Sequence, residues 1–419
     1  MNIKKKIDKK IDKMEPVETV ETTVASAPTQ FFENYVLSEA IPYIDTFEDE
    51  KLGLKQEILN GIFANGFQKP SPIQRIGIKP IVDRRDLVLQ SHSGSGKTAT
   101  FVTGLLQVLN FEEKRTQVVV VSNTKELAEQ IKDVFIDLSK YCNVTHALCM
   151  GGDLSTRYYD GPITEQVIIG TPGRICDMMQ RKMISAESVE LLIIDEADEV
   201  LSSGFRKQVR GIIQSLSKTC QIVLSSATIP EEMTMLVGKI LREDHIKILV
   251  KDEELTLDEI KQFYVALDDY MKVEVLFDIY QSISIGQCII YCNTKERADK
   301  LKWDFDEKGY QAGILHGNMV AQERKTIMDS FRNGKFRILI TTDVMARGID
   351  VQEVSLVINF DMPKYSQTYI HRIGRSGRFG RTGVAINFVT RKEKSILNFI
   401  EKQFHTRIIP LPQNLQQLI

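Results

Sequence analysis

The sequence predicts an α/β protein of two tandem domains, each a parallel sheet flanked by helices. Three features carry that prediction. The chain has 419 residues, and at roughly 150 residues per domain that is enough for two or three. Short apolar runs rich in Val and Ile alternate with amphipathic stretches, as expected for strands covered on both faces by crossover helices. The alternation stops once, at the polar, acidic stretch 251–258, and then resumes.

Taken in order, residues 1–13 carry six lysines and two aspartates, with Ile3, Ile7, Ile11 and Met14 at helical spacing. That spacing fits a short basic amphipathic helix, but a solvated tail is the preferred reading. Residues 15–30 have no period and read as linker, so 1–34 is expected to be disordered. The first domain spans 35–250, with strands expected at 87–90, 118–121, 167–169, 191–194 and 222–224 and helices at 99–109 and 125–141. A linker occupies 251–258. The second domain spans 259–419, with strands at 289–291, 338–341, 356–359 and 385–389 and helices at 295–308 and 321–333.

Composition narrows the function. A hydrophobic fraction of 42% with 26% charged residues excludes wholesale disorder. The net charge of −2 excludes a histone-like binder, though not a local basic cleft. No apolar run is long enough for a membrane span, and the charged start predicts no secretory signal. The six cysteines form no C-x-x-C pair; Cys288 and Cys292 share one face of an expected strand and read as buried thiols. A reducing compartment, cytosol or nucleus, follows. Trp303 and the scattered methionines read as packing residues.

Ser91-His-Ser-Gly-Ser-Gly-Lys-Thr98 follows a strand and precedes an apolar helix, the context of a phosphate-binding loop. Gly94 and Gly96 let backbone amides curl around phosphate oxygens, and the helix N-terminus adds partial positive charge. Lys97 would reach the β- and γ-phosphates, and Thr98 would hold Mg2+. The general pattern asks for Gly where Ser91 stands; a chance flexible turn is the alternative, and the strand–loop–helix context argues against it. Leu191-Leu-Ile-Ile-Asp-Glu-Ala-Asp198 is a buried strand ending in carboxylates, where ligands bind in open α/β sheets. Asp195 suits Mg2+, partly through water, and Glu196 suits polarising the attacking water. Tyr369-Ile-His-Arg-Ile-Gly-Arg-Ser-Gly-Arg378 offers Arg372, Arg375 and Arg378 at spacing three. Guanidinium forks there could stabilise a transferring phosphoryl group across a closing cleft, or simply form a basic loop.

Together these segments resemble a DEAD-box RNA helicase, with Asp195-Glu-Ala-Asp198 as the name-giving tetrapeptide. The resemblance covers about 45–419 and implies two RecA-like domains that bind ATP and Mg2+. Gly66-Phe-Gln-Lys-Pro-Ser-Pro-Ile-Gln74 resembles the family's Q motif, which implies that Gln74 reads adenine. Phe47 resembles the aromatic that stacks on it, at a slightly longer spacing. The implied ATP set is Phe47, Gln74, Ser93, Gly94, Ser95, Gly96, Lys97, Thr98, Ala99 and Asp350, the last on the ribose. By the same resemblance Arg375 and Arg378 meet the γ-phosphate. Ser226 and Thr228 in Ser-Ala-Thr couple hydrolysis to strand separation, and His371 and Arg372 tie the interdomain network.

An RNA-backbone set is implied likewise: Thr124, Lys125, Gly151, Gly152, Thr171, Arg174, Thr341 and Thr342. Glycine amides, hydroxyls and basic side chains suit sugar and phosphate rather than base edges. Four positions depart from the family pattern. Lys125 replaces an Arg and loses the bidentate fork, His92 replaces Gln, Glu296 stands where a basic residue is common, and Ala321 replaces Gln. These departures predict weaker RNA contacts with intact ATP chemistry.

The segments 248–257, 260–264 and 374–387 are most similar to the translation-initiation factor four-A subfamily. That similarity implies an RNA-stimulated ATPase that clamps single-stranded RNA and unwinds short duplexes near mRNA 5′ regions. It also implies a helical scaffold protein bridging both domains, a monomeric chain and a cytoplasmic setting. A nuclear, ATP-gated RNA clamp of the exon-junction kind, or a ribosome-biogenesis helicase, is the alternative. A membrane partner is not expected.

Overall fold

The computed structural model describes residues 35–412 apart from 93, 152–160, 202–203, 251–259, 284–285, 344–353, 377–382 and 405. The expected tail 1–34 and linker 251–258 lie outside the described residues. So do four site candidates, Ser93, Gly152, Asp350 and Arg378.

Among the described residues the first sheet contains β1 (Tyr35–Leu37), β2 (Leu87–Gln90), β3 (Val118–Val121), β4 (His146–Cys149), β5 (Val167–Gly170), β6 (Leu191–Ile194), β7 (Gln221–Ser226) and β8 (Ile246–Val250). Their order is β1-β8-β2-β7-β6-β3-β5-β4. The second sheet contains β9 (Ile260–Ala266), β10 (Gln287–Tyr291), β11 (Ala312–Leu315), β12 (Ile338–Thr341), β13 (Val354–Asn359), β14 (Gly383–Val389) and β15 (Ile409–Pro410), in the order β11-β12-β10-β13-β14-β9-β15. All these pairings are parallel except β1 with β8, which makes the first sheet mixed at that edge.

The central strands β2, β3, β5 and β6 are buried at every residue, as strands between two helical layers must be. Helices Lys97–Val108, Lys125–Leu138 and Pro172–Gln180 follow β2, β3 and β5; Lys295–Glu307 and Ala321–Arg332 follow β10 and β11. Cys288 and Cys292 lie in one buried cluster with Ile290 and Phe305, as their alternation along the strand requires. Trp303 departs from its expected packing role: it is 60% exposed on its helix. Residues 248–250 complete β8, within the bounds expected for the first domain, and pair with β1.

The strand order decides what the sheet can do. Parallel strands deliver all their C-terminal ends to one edge, where α/β proteins bind ligands. The phosphate loop leaves β2, the acidic segment leaves β6, and β7 lies between them carrying Ser225 and Ser226. Thr124, Gly151 and Thr171 follow β3, β4 and β5, which form the other half of the sheet. At about 5 Å per strand, nucleotide and RNA candidates therefore occupy adjacent halves of one edge.

Candidate nucleotide and RNA site

The phosphate loop is built around positive φ. Gly94 has φ +82° and Gly96 φ +102°, conformations that L side chains rarely adopt. A Cβ on Gly96 would stand 2.9 Å from both Ser71 Oγ and Gln74 Nε2, so the cradle has no room for one. Ser71 caps the helix Pro72–Val82 in a capping box with Gln74, whose Oε1 accepts from Ser71 N at 2.8 Å. Ser71 Oγ donates to Ser95 O at 2.8 Å. Gln74 is thereby pinned against the loop, with its amide nitrogen toward Gly96. Lys97 Nζ donates to Ser91 O at 2.5 Å and His92 O at 2.8 Å. Thr98 and Ala99 are half-buried in the first turn of the following helix. Phe47 is 3% exposed; its ring is packed into the domain, which does not favour stacking on a base.

Asp195 continues the β-ladder, donating its N–H to Val121 O at 2.9 Å, and is 4% exposed. Burial pushes its carboxyl above the usual range, opposed by the Ser225 hydroxyl and the Lys97 charge. Glu196 adopts φ +48°, ψ +51°, a left-handed conformation unusual for Glu and a frequent mark of a functional turn. A divalent cation fits this donor set. A buried carboxylate with a raised pKa gains from a hard cation, and the Thr98 hydroxyl would be the other oxygen to hold it. Among the described residues no cluster of three or more His, Cys, Asp or Glu exists. Mg2+ takes most of its ligands from phosphate and water.

Asp198 joins the two domains. Its Oδ2 accepts from Thr228 Oγ1 at 2.6 Å and lies 3.1 Å from His371 Nε2. Ser226 Oγ donates to Thr228 O at 2.7 Å, and Ser91 N donates to Ser226 O at 3.2 Å. A continuous polar path therefore runs from phosphate loop to Ser-Ala-Thr segment to second domain. Arg375 is buried and donates Nε to His371 O at 3.1 Å. Arg372 is 0% exposed and clamps its own domain: Nε donates to Asp343 Oδ1 at 2.5 Å, Nη1 to Asn359 Oδ1 and Asp361 O, and Nη2 to Asn293 Oδ1. These bonds tie the ends of β10, β12 and β13 together, whereas the domain-crossing contact belongs to its neighbour His371.

The RNA candidates differ in what they offer. Gly151 is exposed, with nothing near where a Cβ would stand. Thr171 starts its helix without using its hydroxyl as a cap, and Lys125 is half-buried. The Thr124 hydroxyl caps the helix Lys125–Leu138, accepting from Leu127 N at 3.2 Å. Arg174 pairs with Asp177 at 3.0 Å. Thr341 and Thr342 are buried, and Thr341 Oγ1 donates to Leu315 O at 3.0 Å. The Thr341 hydroxyl therefore serves the strand end more directly than a ligand.

Residues 71–236 match the DEAD/DEAH box helicase family, and 271–380 match the helicase conserved C-terminal domain. The chain is a DEAD-box helicase. It is 45% identical over 381 residues to the ATP-dependent RNA helicase eIF4A of Schizosaccharomyces pombe, covering 90% of this chain and 96% of that protein. It is 46% identical over 373 residues to the eukaryotic initiation factor 4A of Cryptosporidium parvum, covering 88% and 92%. Among solved structures, S. cerevisiae Dbp5 bound to RNA and ADP BeF3 superposes with a TM-score of 0.82 at 36% identity, covering 88% of this chain and 95% of that one. The helicase thus has two tandem RecA-like domains, arranged together much as in that complex.

The site list drawn from sequence omitted three residues of this helicase. Asp198 belongs to the tetrapeptide, but its partner His371 is 173 positions away. Glu126 and Arg324 form a second cross-domain contact, with Arg324 Nη1 3.0 Å from Glu126 Oε1 and both side chains mostly buried. Only the tertiary arrangement reveals it. Glu126→Gln removes that pair while keeping shape, leaving Arg324 facing a neutral amide. RNA-stimulated kcat is expected to fall about threefold to tenfold, the equivalent of about 1 kcal/mol of closed state. KM for ATP should stay near the parent value. Steady-state kinetics with saturating RNA check this.

Asp195 gives a stability prediction. A carboxyl whose folded pKa is raised stabilises the fold fully below its unfolded pKa and loses that contribution as pH rises through the folded one. Above the folded pKa the ionised group is therefore a burden on the fold. Asp195→Asn is expected to raise Tm at pH 7, with the gain shrinking toward pH 4, while ATP hydrolysis is lost. Calorimetry across that range checks the sign.

Proposed function

We propose that this DEAD-box helicase acts in translation initiation, using ATP to close its two domains on single-stranded RNA and open short duplexes locally. The observation that carries the reading is the Asp198 carboxylate, which holds Thr228 of the first domain and His371 of the second at once. Any change at the phosphate loop that moves Ser226 or Asp198 is felt at the seam. ATP binding and domain closure are then one equilibrium.

In this reading Gln74 recognises adenine, and Gly94, Ser95 and Gly96 present backbone amides to the phosphates. Lys97 leaves the Ser91 and His92 carbonyls for the β- and γ-phosphates. Thr98 and Asp195 hold Mg2+, which supplies charge neutralisation on the phosphates when bound. Glu196 orients and deprotonates the attacking water, and Arg375, drawn in by closure, stabilises charge on the transferring phosphoryl group. Gly151, Thr171, Arg174 and Lys125 grip the RNA backbone, so sequence preference is weak and salt dependence marked. Support for the initiation role comes from the eIF4A relatives, which match along nearly their whole length. A helical scaffold contacting both domains, a monomeric chain and a cytoplasmic setting belong to the same proposal. No helix among the described residues is long and apolar enough to cross a membrane.

The test is ATP hydrolysis by the purified chain with and without single-stranded RNA across a salt series, alongside unwinding of a short duplex. RNA stimulation that fades with salt is the expected result. Absence of stimulation even at low salt overturns the self-sufficient enzyme and leaves a clamp that needs its scaffold.

A further inference from the structure

Ser91, the first residue of the phosphate loop, departs from the general glycine pattern and is fully buried. Three of its groups are engaged by three different parts of the first domain. Its N–H donates to Ser226 O at 3.2 Å. Its carbonyl accepts from Lys97 Nζ at 2.5 Å. Its Oγ lies 3.2 Å from the hydroxyl of Tyr35. Tyr35 stands on β1, at the edge of the sheet, opposite Val250 of β8. The segment is anchored just beyond: Ser38 N donates to Lys247 O at 3.1 Å, Lys247 N to Ser38 Oγ at 2.9 Å, and Glu39 pairs with Arg85 at 3.2 Å. The antiparallel edge strand of the first sheet thus brings a phenol hydroxyl to the base of the nucleotide loop from outside the loop's own neighbourhood.

We infer that Tyr35 is a positioning residue for ATP binding: through the Ser91 hydroxyl, β1 fixes the start of the phosphate loop in the conformation that receives the nucleotide. The inference rests on the assignment of the loop at 91–98 as the ATP site. The physical argument is preorganisation. A buried serine hydroxyl with no partner would rotate and draw its backbone toward another acceptor. The Ser91 carbonyl is the platform that Lys97 must leave, and the Ser91 N–H is the link to Ser226. A loop whose first residue is held needs less ordering when phosphate arrives. A contact that holds the loop alike in the bound ground state and in the transition state contributes equally to both, so its loss is expected to move KM and leave kcat alone.

The test uses the full chain with Tyr35→Phe, Ser91→Ala, the double variant and Lys97→Ala, read by steady-state kinetics with RNA, equilibrium ATP binding and thermal melting. Tyr35→Phe is expected to raise KM and Kd for ATP by about twofold to tenfold, the range of one hydrogen bond, with kcat within twofold. Ser91→Ala should do the same, and the double variant should be no worse than either single one, since both remove the same bond. A drop in Tm without a change in KM would make the contact merely structural and overturn the inference. Additive effects in the double variant would do so as well. If Lys97→Ala binds ATP as the parent does, the site assignment itself fails and the inference with it. Loss of binding there, with unchanged KM in Tyr35→Phe, overturns the inference alone.

Discussion

Glu196→Gln is expected to lower RNA-stimulated kcat by about a thousandfold while ATP binding survives and RNA is held longer than by the parent. General-base catalysis contributes about 10²–10⁴ to such reactions, and glutamine keeps the side chain's shape while removing its capacity to take a proton. The surroundings favour a clean substitution. Glu196 follows β6, which is paired on both sides, to β3 and β7, and buried at every residue. Its left-handed backbone is set by the turn between Asp195 and the short helix Ala197–Val200. The seam contact of Asp198 with His371 is made two residues later, and glutamine at 196 leaves both of its partners in place. Closure on ATP and RNA should therefore proceed, and only the exit through hydrolysis is blocked. Single-turnover hydrolysis and filter retention of labelled RNA with ATP read the two halves separately. Normal turnover would remove Glu196 from the base role.

Much of this was legible from sequence because the signals are local. Residues 87–89, 118–121 and 191–194 are continuous apolar runs, and a strand buried on both faces has to look like that. The phosphate loop was legible because strand, glycines, lysine and helix follow one another within about a dozen positions. The elements that escaped lie where one face is partly wet. β4 and β8 alternate buried with half-buried residues, β9 mixes buried with exposed ones, β11 contains Gly313, and β1 and β15 are two or three residues long at sheet edges.

The site followed the same division. Lys97, Asp195 and Glu196 announce themselves by their neighbours in sequence. Asp198 with His371, Glu126 with Arg324, and Tyr35 with Ser91 are pairs whose meaning arises only when distant strands end at the same edge. Arg372 shows the limit from the other side. Its spacing with Arg375 suggests one shared role, yet its guanidinium is consumed in bracing β10, β12 and β13. Three arginines in one short segment need not face one ligand.

Lys97→Ala is expected to weaken ATP binding by at least about a hundredfold and so abolish hydrolysis at ordinary ATP concentrations. Charge-assisted hydrogen bonds are worth about 1.5–3 kcal/mol each, and the ammonium would give more than one to the β- and γ-phosphates. The contacts Lys97 makes within the protein add a second consequence. Lys97 Nζ neutralises the two converging carbonyls of Ser91 and His92, and its charge opposes the upward shift of Asp195. Without it the carbonyl of buried Ser91 loses its donor, and the Asp195 carboxyl loses a charge that opposes its upward shift. ATP affinity and thermal stability should both fall, the second by about 1 kcal/mol, a few degrees in Tm for a domain of this size. Lys97→Arg separates the two effects. It keeps the charge beside Asp195 and should recover most of the stability, but its planar fork does not fit a cradle shaped for a point charge, and ATP affinity should stay low. If Lys97→Arg binds ATP as the parent does, the lysine acts by charge alone. If Lys97→Ala loses stability without losing affinity, the loop at 91–98 is not the nucleotide site.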